Sequence, residues 1–178
     1  GLANSSGELG HNLMDHCMGG GATGRIPVNE DKISLGNRPN GIYVPRFRNV
    51  NQKYPGFLRG YGFQGGAFRQ RWDRGFETRG FGANFKHSLR QPGPWKMTFY
   101  GFGECLPNHE NYIELDKAKV DAWGIPTLRI NCMWRENERA LLQDMSLSAA
   151  EMLAASGARD IEPFVENNAP GLTIHEMG

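Results

Sequence analysis

Glycine and proline interrupt this chain too often for a helical bundle: 24 Gly and 10 Pro fall among 178 residues, well above their usual combined share of roughly 12 %. The stretches between them are short, which favours strands and loops. Within those stretches the period changes in an ordered way. Thr127 to Trp134 alternates strictly, with Leu128, Ile130, Cys132 and Trp134 on one face and Thr127, Arg129, Asn131 and Met133 on the other, the pattern of a half-buried strand. Arg135 to Ser156 then places Leu141, Met145, Ala149, Met152 and Leu153 on one side of a helix, and Gly157 stands where a left-handed C′ residue is expected. Asp160 to Val165 reads as a further strand.

Earlier in the chain, Gly1 to Gly24 is small and polar and reads as connecting structure. Ile42-Tyr43-Val44 lies between Pro39 and Pro45, which deny ladder donors and suit an edge strand. Phe57 to Phe63 alternates aromatic with small or polar residues, so its odd positions face a core or a cavity. Residues near Asn84 to Arg90 form a short helix stopped before Pro92. Met97 to Gly103 and Tyr112 to Asp116, separated by a Pro107-Asn108 turn, read as two strands of one hairpin. Strands joined by short turns, with helices grouped between them, predict an α+β fold: a largely antiparallel sheet flanked by helices.

The length suits a domain with a real core. The 20 Lys and Arg nearly cancel 19 Asp and Glu, which removes both the charge imbalance of a disordered chain and that of a uniformly basic nucleic-acid binder. No run approaches a membrane span, so the chain reads as soluble. Cys17, Cys105 and Cys132 are odd in number and far apart, which argues against a disulfide framework and for packing thiols. The abrupt ends at Gly1 and Gly178 suggest a piece of something larger.

Charge is nonetheless uneven. Residues 54–96 hold ten of the 19 aromatics and eight Lys or Arg against Asp73 and Glu77. Such a stretch is able to stack on bases and meet phosphates, or to line a concave sugar site, or simply to be an aromatic core with Arg outside. Two G-x-G-x-x-G matches, Gly19 to Gly24 and Gly60 to Gly65, lack the flanking strand-then-helix context of a dinucleotide fingerprint and read as loop or strand-packing glycines. His11, Asp15, His16 and Cys17, with Cys105 and His109, have no paired metal-ligand spacing, so no metal is expected. No nucleophile stands visibly beside a base. His175, ending a β-prone run before Glu-Met-Gly, is the most suggestive single residue.

The order of three motifs is more informative. Ser5-Ser6-Gly7-Glu8-Leu9-Gly10-His11-Asn12-Leu13-Met14-Asp15-His16 resembles the S-G-x-x-G-x-N-L-x-D-H region of the glucose-methanol-choline flavoprotein oxidoreductases. Pro107 through Asn111 to Leu115, then Asp121-Ala122-Trp123-Gly124-Ile125-Pro126, resembles the family's substrate-domain stretch, and Leu172 to Gly178 the approach to its T-x-R-M-G motif. His11 stands where the family often has Arg or Lys, and Glu8 is unusual in the glycine turn.

The resemblance, nearest to bacterial sugar, gluconate and glucoside dehydrogenases, implies the substrate-binding part of a longer FAD-dependent enzyme acting on alcohol or carbohydrate CH–OH groups. It implies a connecting segment over 1–24, the substrate domain over 25–170, and a return over 171–178 towards a flavin domain in the rest of the parent. The bacterial cytoplasm or periplasm is implied, without a choice between them. No FAD and no activity are expected of this piece alone, because the FAD-binding unit and the catalytic histidine would lie outside it. Asn12, Asp15, His16 and Gly178 are expected near the cofactor. Arg59, Gln64, Arg69, Trp72, Arg129, Asn131, Trp134 and His175 are expected near the substrate, and none of them is assigned as catalytic base. A self-contained carbohydrate-binding module is the alternative, and an RNA-binding domain built on 54–96 is the third reading; no nucleic-acid partner is expected on the first.

Overall fold

A computed structural model describes residues 3–33, 41–166, 168–171 and 174–177; Gly178 and the Leu172-Thr173 pair of the closing motif lie outside them. Its main element is a five-stranded sheet of β1 (Cys17–Ile26), β2 (Gly41–Val44), β3 (Tyr61–Arg69), β4 (Trp95–Gly103) and β7 (Arg159–Val165), in the order β2-β3-β4-β1-β7. All neighbours are antiparallel. The expected α+β class is therefore the observed one. β5 (Tyr112–Val120) and β6 (Pro126–Asn131) form a separate two-stranded ribbon. Helices α1 (Gly82–Arg90) and α2 (Glu136–Ala155) complete the fold.

The four-residue spacing of Leu141, Met145, Ala149 and Leu153 lays one apolar ridge along α2, and all four are fully buried against the sheet. They meet Ala22, Tyr61, Phe63 and Phe99, which alternation directs to the same face. Helix and sheet approach unusually closely. A Cβ on Gly20 would stand 2.5 Å from the Leu142 carbonyl oxygen, and one on Gly101 2.4 Å from the Met145 sulfur. The glycine run Gly19 to Gly24 is thus the middle of the sheet and not a connecting loop: strand glycines there make room for the helix. The expected hairpin between Met97–Gly103 and Tyr112–Asp116 is corrected too. β4 lies between β1 and β3, while β5 pairs with β6, because the residues between them travel past the start of α2.

The ends of α2 are fixed locally. The buried Glu138 carboxylate accepts the Arg135 N–H at 3.1 Å and the Leu106 N–H at 3.1 Å, joining the first turn to the chain after β4. At the other end Gly157 has φ +84, and the Gly157 and Ala158 N–H groups return to the Ala154 and Leu153 carbonyls. This is the Schellman closure that the position of Gly157 predicts.

One polar cluster is built into the core side. Asp144 on α2 receives Arg48 through Nε at 2.9 Å and Nη2 at 3.2 Å, the Tyr54 hydroxyl at 2.7 Å, and the Tyr61 hydroxyl. Burial alone would raise the Asp144 pKa, but the hydrogen bonds from Tyr61, Arg48 and Tyr54 outweigh it and hold the carboxyl below its ordinary value. Burial, and then Asp144, pushes the Tyr61 phenol up. Burial likewise raises Cys17 and brings Cys105 up to about 11, so both thiols are protonated packing groups at neutral pH. Among the described residues no helix is long and apolar enough to cross a membrane.

Candidate functional site

With α2 covering one face of the sheet, the other face is left to carry a site. Along β4 the side chains of Lys96, Thr98, Tyr100 and Phe102 alternate onto it. Strand register extends each of these into a row. Tyr43, Gln64, Tyr100, Gly21 and Phe164 are successive partners across all five strands. Gly21 has no side chain in the middle of that row, and a Cβ there would stand 2.7 Å from the Phe164 ring. Tyr100 and Phe164 therefore meet over β1 with ring centroids 5.2 Å apart. In the next row the Thr23 and Thr98 hydroxyls are 2.8 Å apart.

An excursion between β3 and β4 stands over this floor. Its base is closed by paired backbone bonds, Gln70 N–H to Pro94 O and Gly93 N–H to Gln70 O, both 3.0 Å. A 3-10 turn over Trp72–Phe76 and helix α1 follow. Arg74 pins the two together, since its Nη2 donates to the Ser88 and Gln91 carbonyls at 2.6 and 2.9 Å and its Nη1 to Arg71 O at 3.0 Å. That guanidinium replaces a hydrophobic core which so short an excursion cannot build. Floor and canopy bound a cleft of about 1430 Å³, lined by Thr98, Tyr100, Phe164, Phe68 and Trp72 and by more basic than acidic side chains. Trp72 is 66 % exposed beside it.

Farther along the open face, two residues from Tyr100 on β4, Phe102 lies edge-on to His16. His16 Nε2 and His175 Nδ1 are 2.8 Å apart. Asp15, buried, accepts the His16 N–H at 2.6 Å and the Gly171 N–H at 2.7 Å, which ties the two ends of the described chain together at this point. Asn12 has φ +61 and donates to Glu8 at 3.1 Å.

The sequence-derived candidates divide accordingly. Arg69 and Trp72 line the cleft, and Gln64 is exposed on the same face. Arg69 also clamps the segment after β1 through Lys32 O at 2.8 Å. His16 and His175 meet at the far end of that face. Arg59 lies elsewhere, paired with Glu104 at 3.5 Å. Arg129 pairs with Glu114 at 3.3 Å on the ribbon, Asn131 donates to Glu110 O at 2.7 Å, and the Trp134 indole donates to Asn168 O at 3.1 Å. The aromatic stretch is split as well: Phe57, Tyr61 and Phe63 are core, while Phe68, Trp72, Phe76 and Phe81 are exposed. Sequence reasoning passed over Thr23, Lys96, Thr98, Tyr100 and Phe164. The period of two in β4 was the available signal, but which of its faces is open depends on where α2 docks.

No family model matches the chain. It is similar to 2-methyl-1,2-propanediol dehydrogenase of Mycolicibacterium austroafricanum, with 28 % identity over 191 aligned residues that take in the whole of this chain and 33 % of that protein. The chain thus spans about a third of the length of the curated relative it matches, and the likeness to a dehydrogenase is distant.

Proposed function

We propose that this chain is the substrate-binding part of an FAD-dependent oxidoreductase of the glucose-methanol-choline type, acting on an alcohol or carbohydrate CH–OH group. The observation that carries the reading is the asymmetry of the sheet. One face is sealed by α2, and the other presents hydroxyls, exposed aromatic rings and a cleft of about 1430 Å³, in a chain related along its whole length to part of a dehydrogenase. The residues here fit one wall of a flavin site and not the cofactor's cradle. The glycines of β1 are strand residues covered by neighbours, with the Leu142 carbonyl of α2 2.5 Å from where a Gly20 Cβ would be and the Phe164 ring 2.7 Å from where a Gly21 Cβ would be, and they form no loop leading into a helix N-terminus that would cradle a pyrophosphate.

A bound flavin would supply the hydride acceptor for oxidation of the alcohol carbon. The chain's own residues hold the substrate for that event. Trp72 and Tyr100 offer faces to its carbon skeleton. Thr98 and Gln64 hydrogen-bond its hydroxyls, and the canopy over 70–92 limits water. His16 and His175 lie at the end of the face where the chain would return to the flavin domain.

The test uses the full-length protein. A yellow cofactor bleached anaerobically by an alcohol is the expected result, with Trp72→Ala raising KM about tenfold for the same alcohol through the loss of one stacked ring. A protein without flavin, or with flavin that no alcohol or sugar reduces, would sink the reading.

A further inference from the structure

The cleft carries more positive charge than a neutral alcohol requires. Six basic side chains line it against three carboxylates, Asp73, Glu77 and Glu166. Arg69 and Arg74 hold backbone carbonyls. The side chains of Arg71, Lys86, Arg90 and Lys96 make no ion pair or hydrogen bond among the described residues. Lys96 is the most informative of them. It is half-buried on the cleft floor, between Phe68 of β3 and Arg25 of β1 in register, and Arg25 is already committed to Asp160 at 2.8 Å and Glu30 at 3.3 Å. A partly desolvated ammonium without a counter-ion costs stability unless a ligand supplies one.

Resting on the reading above, we propose that the cleft selects a hydroxylated substrate bearing an anionic head group, with Lys96 on the floor receiving that group and Arg71, Lys86 and Arg90 on the canopy drawing it in. The Thr98 hydroxyl and the Trp72 and Tyr100 faces are left for the neutral carbon chain. Lys96 contributes contact, and the exposed canopy cations contribute long-range attraction that salt screens.

The experiment compares glycerol with glycerate and with glycerol 3-phosphate, and sorbitol with gluconate, on the full-length flavin-loaded protein. At low salt at least one acid exceeds its neutral partner in kcat/KM by about tenfold, the worth of one charge-assisted hydrogen bond. Lys96→Met removes that advantage, lowering the acid's kcat/KM about tenfold to the level of its neutral partner. The exposed Lys86→Ala, which disturbs no buried contact, lowers the acid's kcat/KM by about threefold at low salt and has no effect at high salt. Preference for glycerate over the phosphate identifies a carboxylate head group, and the reverse a phosphate. Equal turnover of acids and neutral partners overturns the proposal while leaving the oxidoreductase reading intact. Loss of bound flavin in Lys96→Met, with unchanged selectivity, overturns it too, because the ammonium then serves the cofactor. Flavin reduced by none of these compounds, nor by any other alcohol or sugar, sinks the underlying reading instead.

Discussion

Strands β4 and β6 carry similar alternation, yet their apolar faces meet different fates. The helix-facing side of β4, Phe99 with Gly101 and Gly103, is covered by α2. On the ribbon, Ile113 is in register with Ile130 and Leu115 with Leu128, which gathers four aliphatic side chains on one face. Leu128 and Ile130 are nonetheless 60 % and 54 % exposed. The opposite face carries the Glu114–Arg129 pair. Alternation therefore tells which way a side chain points and not what covers it. A ribbon of two strands is marginal alone, and this one is anchored at its root, where the buried Asn111 accepts the Met133 N–H at 3.2 Å and Gly10 O accepts the Ile113 N–H at 2.7 Å.

The comparison is most directly tested on the covered side. Leu141→Ala removes a fully buried side chain from the α2 ridge and is expected to cost about 3 kcal/mol in urea unfolding. A cost below about 1 kcal/mol would mean that α2 is not seated on the sheet. Gly20→Ala probes the same contact from the opposite direction. Its methyl would meet the Leu142 carbonyl oxygen at 2.5 Å, backbone that cannot swing aside, and an overpacking cost of about 2 kcal/mol is expected. Tolerance of alanine at Gly20 would show that the strand glycines are not there to admit the helix.

Next in size is the Asp144 cluster, which is polar where its surroundings are apolar. Its carboxyl has a folded pKa below the unfolded value of about 3.9. The resulting stability is fully present above that value and is lost as pH falls through the lower folded pKa. Asp144→Asn is expected to cost about 1–2 kcal/mol at neutral pH, the loss of charge-assisted hydrogen bonds from Arg48 and two tyrosines. It also flattens the acid limb of the stability profile, so that wild type and variant converge as the Asp144 carboxyl becomes protonated. Parallel profiles would assign the acid sensitivity to other carboxylates.

Much of the fold was legible because local and global preferences agree. The α2 ridge, its Gly157 stop, the edge strand after Pro39 and the short helix before Pro92 all follow from period and breakers. The pairing partners of β4 were not legible. Antiparallel neighbours far apart in sequence are chosen by the shared core, and a Pro-Asn turn between two strand-like runs looks the same whether or not they pair. The glycine run of β1 misled for a related reason: its lack of side chains signals a loop locally but a close helix contact in the fold. At the site, Arg69 and Trp72 were legible as part of a basic aromatic stretch. Arg59, Arg129 and Asn131 were indistinguishable from them by residue type and lie elsewhere, because charge and hydrogen-bonding capacity do not encode location.

The ribbon supplies the smallest effect and the sharpest contrast. Leu128→Ser replaces an aliphatic side chain in a strand, a change that in β4 would expose a core. On β6 that side chain is already mostly in water, so the transfer term is nearly absent and no cavity forms. A change within about 0.5 kcal/mol in urea unfolding is expected. A cost approaching that of Leu141→Ala would mean that the apolar face of the ribbon is covered in solution. The same substitution in the full-length protein then separates the sources of that cover. If the cost appears only there, and does not depend on concentration, the surface that meets Leu128 belongs to the rest of the proposed parent polypeptide; if it grows with concentration, the surface belongs to a second copy.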